Sequence, residues 1–143
     1  MGEKRYRRTS HVIFDNKYHL VWITKYRYRV LEKKIAIRVR EIIREVCKEF
    51  DVEIIKGHIS VDHVHMLVSI PPQYPVSKIM QYMKGKSSRK IQMEFKELKK
   101  RYWGQHIWSR GYFCATVGAV TEEEIKEYIE NHVEDEEDIT IGS

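Results

Sequence analysis

A chain of 143 residues, 42% apolar and 33% charged, fits a single globular domain spanning residues 1–143 that can bury a core without disulfides. No apolar run nears the roughly 20 residues that cross a bilayer, and residues 1–10 are basic and polar, more like an arm than a secretory leader. The formal net charge of +5 conceals an asymmetry: residues 1–34 hold 10 basic and 3 acidic side chains, residues 35–120 hold 15 and 8, and residues 121–143 hold 1 and 10.

A basic body suits a polyanionic partner, of which nucleic acid is the commonest, although a merely solvated basic surface gives the same sum. The expected compartment is a reducing cytoplasm, with Cys47 and Cys114 as buried free thiols, since neither stands in a CxxC spacing.

After a basic arm over about residues 1–12, the aromatic and β-branched run 18–25 (YHLVWITK) predicts a strand. Ile35, Val39, Ile42, Ile43, Val46 and Phe50 recur at helical spacing and predict a helix over 31–50 with one buried stripe. Residues 52–60 (VEIIKGHIS) and 63–70 (HVHMLVSI) predict two strands joined by a tight turn at Val61-Asp62, and Pro71-Pro72 ends the second.

Pro75 suits the first turn of a second helix, with Val76, Ile79, Met80 and Met83 on its apolar stripe. Gly85 and Ser87-Ser88 are expected to interrupt it before a helical continuation to about Lys100. Residues 111–118 (GYFCATVG) predict a fourth strand, with Phe113, Ala115 and Val117 as its buried face. Thr121 and Glu124 form a capping box for a last helix over 122–134. Residues 134–143 read as an acidic tail. The order β-α-β-β-α-β-α predicts an α+β, ferredoxin-like fold: an antiparallel sheet with helices on one face. That fold hosts many activities, so function must come from the residues.

The pattern His63-Val64-His65 places two imidazoles side by side on one face of a strand, where neutral ring nitrogens can hold one cation. Val64, Met66, Val68 and Ile70 then point to the opposite, core-facing side. On the last helix Tyr128 and His132 stand four residues apart and share a face. A phenol with a pKa near 10 is a weak nucleophile. A cation that polarises the phosphate under attack changes the outcome, and His132 is placed to hold one near the hydroxyl. The plain alternatives are two strand histidines without a ligand and a tyrosine packed beside Ile125 and Ile129.

Residues 84–90 (KGKSSRK) offer cations and hydroxyls for phosphates. They are not a P-loop, because the glycine required five residues before Gly85 is Met80. In 108–118 (WSRGYFCATVG), Arg110 and Tyr112 beside Trp108 combine a cation with rings that can stack on unpaired bases. The candidate DNA contacts are Lys86, Arg89, Arg110 and Tyr112.

Jointly, and over nearly the whole chain, YHLVWITKYR, GHISVDHVHMLVSIPP, MKGKSSRKI, WSRGYFCATVG and IKEYIENH resemble, in the same order, the IS200-like single-tyrosine HUH transposases. The resemblance implies that His63 and His65 are the HUH pair, Tyr128 the nucleophile and His132 the third metal ligand, where many members carry glutamine. It implies a divalent metal, Mg²⁺ or Mn²⁺, of which Mn²⁺ better suits imidazole. It also implies a homodimer, single-stranded DNA with hairpins near the element ends, and a 5′-phosphotyrosine intermediate. Three other readings compete: a non-catalytic nucleic-acid-binding module on the same sheet, a metal-dependent nuclease in which water attacks, and a domesticated relative that cuts host repeats with the same residue chemistry.

Overall fold

The computed structural model describes residues 6–117, 124, 127 and 139–141. Among them, β1 (Arg7–Arg8) and β2 (Ile13–Phe14) form a small ribbon, followed by β3 (Lys17–Ile23) and α1 (Lys33–Glu49). Next come β4 (Glu53–Ile59), β5 (His63–Ser69), α2 (Val76–Glu94), α3 (Lys96–Arg101), β6 (Phe113–Thr116) and β7 (Ile139–Thr140). The main sheet has the order β6-β3-β5-β4-β7, and every pairing is antiparallel. Without β7, the order is that of a ferredoxin-like sheet, with each crossing helix between non-adjacent strands.

Period-two alternation explains the sheet. Leu20 and Trp22 of β3 and Val64, Met66 and Val68 of β5 are buried on the helix-covered side. They meet Ile35, Val39, Ile42, Ile43 and Val46 of α1 and Ile79, Met80, Met83 and Ile91 of α2 in one core. The alternate residues of the same strands, His19 and Val21 on β3 and His63, His65 and Leu67 on β5, occupy the other face.

Four sequence expectations change. α2 runs unbroken through Gly85, Ser87 and Ser88. The two serines are buried, and Ser87 returns its hydroxyl to the Met83 carbonyl, so neither disturbs the helix. Val117 is half exposed, so the buried face expected of β6 is not formed there. Cys114 is free but exposed on this edge strand, whereas Cys47 is a buried free thiol held in apolar surroundings.

The acidic tail is not tail throughout. Ile139–Thr140 pairs with His58 and Ile59 of β4, and Ile141 is fully buried. The Ile141 N–H donates to Gly57 O at 2.7 Å. Gly57 permits this closeness, because a Cβ there would lie 3.2 Å from His65 O and 3.4 Å from Ile141 Cβ. At the other end, Arg7 donates to Ser69 O at 2.9 Å and Asp51 O at 2.7 Å, which ties the N-terminal ribbon across β5. No helix among the described residues is long and apolar enough to cross a membrane.

Candidate active site on the second sheet face

Strand pairing builds a patch of imidazoles from three strands. His58 of β4 lies directly opposite His65 of β5, and His19 of β3 lies opposite Leu67, one step along the same face. The His65 ring centroid is 5.3 Å from that of His58 and 6.0 Å from that of His19. His63 completes the group two residues before His65.

His63 and the preceding Asp62 are both almost fully buried, and His63 Nδ1 sits 2.9 Å from Asp62 Oδ1. A carboxylate can only accept, so this contact assigns a proton to Nδ1 and, in the neutral ring, makes Nε2 the nitrogen that carries the lone pair. It is the arrangement by which a second residue orients a metal-ligating histidine. Burial, followed by the nearby His58, His19, His63 and Lys56, pushes the His65 pKa down to about 4. His65 is therefore neutral near pH 7, the form that donates a lone pair to a cation. The residues present fit a histidine-bound divalent metal as far as two ligands go. Among the described residues no three His, Cys, Asp or Glu side chains converge on a metal position.

The third ligand that the sequence reading expects, His132, falls on the last helix. Glu124 and Glu127 are helical, in agreement with the predicted last helix. Tyr128 and His132 lie outside the described residues.

The basic segment of α2 does less phosphate-gripping than its composition suggests. Lys84 donates to Ser109 O and Gly111 O, both at 2.8 Å, and burial lowers its pKa. Ser87 Oγ accepts from Trp108 Nε1 at 2.8 Å, and Ser88 Oγ accepts from Ile107 N at 3.1 Å. These three residues fasten the 107–111 loop to the helix, so the hydroxyls expected to meet phosphate are spent internally. Lys86 is paired with Glu49 at 3.3 Å. Arg89 lines a surface groove with Ser88, Gln92 and Lys99.

In the loop before β6, Arg110 and Tyr112 are exposed. Trp108, expected beside them as a stacking ring, is instead a core residue, edge-on to Trp22 at 6.0 Å. Sequence reasoning missed Asp62, His58 and His19. Period two on β3 and β4 places the two histidines on a face, but only cross-strand register shows that it is the His65 face.

The fold is an antiparallel ferredoxin-like sheet that carries His63 and His65 on the face away from α1 and α2. Residues 12–132 match the family model "Transposase IS200 like". The chain is 36% identical over 136 residues to the Salmonella typhimurium transposase for insertion sequence element IS200, covering 95% of this chain and 88% of that protein. It is 33% identical over 119 residues to the ISDra2 transposase TnpA of Deinococcus radiodurans, covering 83% and 85%.

Among solved structures, a Deinococcus radiodurans R1 protein named as a transposase superposes with a TM-score of 0.77 at 30% identity, covering 90% of this chain and 99% of that one. A REP-associated tyrosine transposase bound to a REP hairpin shares the fold, with a TM-score of 0.54 at 15% identity over 89% and 68% of the two chains. The protein belongs to the IS200-like transposase family.

Proposed function

We propose that this transposase cuts and rejoins single-stranded DNA at insertion-sequence ends, with Tyr128 as nucleophile and His63, His65 and His132 as ligands of a divalent metal. The observation that carries the metal half of the reading is the Asp62–His63 contact, which turns a buried imidazole into an oriented donor beside a neutral His65. Family membership supports the tyrosine half.

The residues divide the work as follows. Asp62 holds the His63 tautomer, while burial keeps His65 unprotonated. A divalent cation bound by the three imidazoles, Mn²⁺ or Mg²⁺, would act as a Lewis acid toward a non-bridging phosphate oxygen. The Tyr128 oxygen forms a bond to the scissile phosphorus as the bond from phosphorus to the 3′ oxygen breaks. The phenol proton passes to solvent and the departing 3′ oxygen takes one up. The 5′-phosphotyrosine preserves the phosphodiester energy, so a 3′-hydroxyl of another strand restores the DNA without ATP. A homodimer and hairpins near the element ends belong to the same reading, on family grounds.

The test is incubation with an oligonucleotide carrying the element end and Mn²⁺, followed by denaturing electrophoresis. Wild type yields an adduct that survives denaturation, and Tyr128→Phe yields none. Free 5′ ends from an undiminished Tyr128→Phe enzyme would move the protein to the water-using nucleases.

A further inference from the structure

The helix layer carries two unlike sets of cations. Lys86 pairs with Glu49, Lys90 with Glu45 and Arg38 with Glu94. Lys96, Lys99, Lys100 and Arg89 form no ion pair with an acidic side chain among the described residues. They line two adjoining grooves of about 450 and 680 Å³, built by α2, α3 and the turn that follows.

Trp103 lines the larger groove and is 84% exposed, while the other two tryptophans, Trp22 and Trp108, are buried. Its backbone is left-handed at φ +53°, and Gly104 follows at φ +72°. A non-glycine aromatic in that region is uncommon. The turn is nonetheless fixed: Trp103 N donates to Lys100 O at 3.2 Å and Gly104 N to Lys99 O at 2.8 Å. Below it, Gln92 Nε2 donates to Gln105 O at 2.7 Å and ties the groove floor to the same loop. The indole is thus presented on a secured turn, not left on a loose one. Lysines at the end of α3 also complement its dipole, but that accounts for neither Trp103 nor Arg89.

We propose that this groove is a second contact for single-stranded DNA, in which an unpaired base stacks on the Trp103 indole and the flanking phosphates lie against Lys96, Lys99, Lys100 and Arg89. The proposal rests on the single-stranded substrate argued above. An outward indole among cations is matched by an open base face on a polyanion. In a duplex those faces are already covered. The groove belongs to the helix layer, whereas the imidazoles lie on the other face of the sheet. It therefore anchors DNA away from the reacting phosphate.

The experiment measures fluorescence anisotropy of a labelled, unstructured DNA oligonucleotide with full-length Tyr128→Phe protein in the presence of chelator, so that no covalent chemistry contributes. Trp103→Ala is expected to weaken binding roughly tenfold, the effect of losing one stacked base, and Trp103→Phe to recover most of it. The double variant Lys99→Ala with Lys100→Ala lowers the slope of log affinity against log salt by about 1.4, two single-strand phosphate contacts.

Trp103 packs little surface, so the variants should melt with the parent. Trp103→Ala binding within twofold of the parent overturns the proposal. So does no measurable binding by the parent, or an equal loss on a blunt duplex. Tighter, equally Trp103-dependent binding of the RNA counterpart overturns the assignment to DNA. Trp103-dependent binding by a protein whose wild-type form gives no adduct would remove the chemistry and leave this contact standing.

Discussion

The two faces of β5 divide one strand between folding and the chemistry proposed for it. Val64, Met66 and Val68 are wholly buried under the helices, while His63, His65 and Leu67 alternate with them on the other side. The apolar set fixes the register, because a slip of one residue would carry histidines into the core. The imidazoles gain their exact placement from an energy term they do not themselves supply. The sharpest way to break this comparison is to truncate neighbours.

His65→Ala is expected to reduce metal-dependent adduct by more than the roughly 10- to 100-fold typical of an outer-shell partner, with thermal stability nearly unchanged. Met66→Ala, one residue away, should cost roughly 2–5 kcal/mol of stability. Its adduct yield per folded molecule should stay near wild type. Denaturant titration and the adduct assay on the same samples check both, and a Met66→Ala protein that is stable but inactive would end the division of labour.

A milder perturbation separates a proposed ligand from the residue proposed to aim it. Asp62→Asn keeps the size of the side chain at position 62 but removes the charge facing His63 Nδ1 at 2.9 Å. The amide can present either its oxygen or its NH₂ to the ring, so the Nδ1–H tautomer is no longer enforced. Metal affinity is expected to fall roughly 10- to 100-fold, read by calorimetric Mn²⁺ titration. Excess Mn²⁺ should restore adduct formation, as it should not for His65→Ala. Unchanged affinity in Asp62→Asn would reduce Asp62 to a turn residue.

The four-strand ferredoxin-like pattern and the core were legible because the elements and their buried faces rest on short periods in sequence. The alternation in 63–70 gave the buried face of β5, and the 35–50 stripe gave that of α1. Their common family with the IS200-like transposases was legible from joint motifs. Features set by tertiary contact were not. The serines of the KGKSSRK run have polar, surface-like neighbours in sequence, yet they are buried against Ile107 and Trp108 across α2 and the 107–111 loop. Ile139-Thr140-Ile141 follows an acidic run that masks its strand-like alternation, and it gains its partner only from β4, some eighty residues earlier. Trp103 lies just beyond the helical stretch expected to end near Lys100, but nothing in the sequence shows that the turn after α3 leaves its ring 84% exposed.

The smallest expected effect concerns the paired flank of α2. The Lys86–Glu49 pair has side chains 30% and 52% exposed, where an ion pair contributes about 0.2–1 kcal/mol. Lys86→Ala should therefore shift the melting temperature by no more than about 4 °C. Its effect on DNA affinity should also be small, since Glu49 already offsets its field. Arg89→Ala, on the unpaired flank, should weaken single-stranded binding more and lower the salt slope by about 0.7. Anisotropy titrations at several salt concentrations rank the two directly. If Lys86→Ala weakens binding as much as Arg89→Ala, the Glu49 pair must open when DNA arrives, and the contrast between the two flanks describes only the free protein.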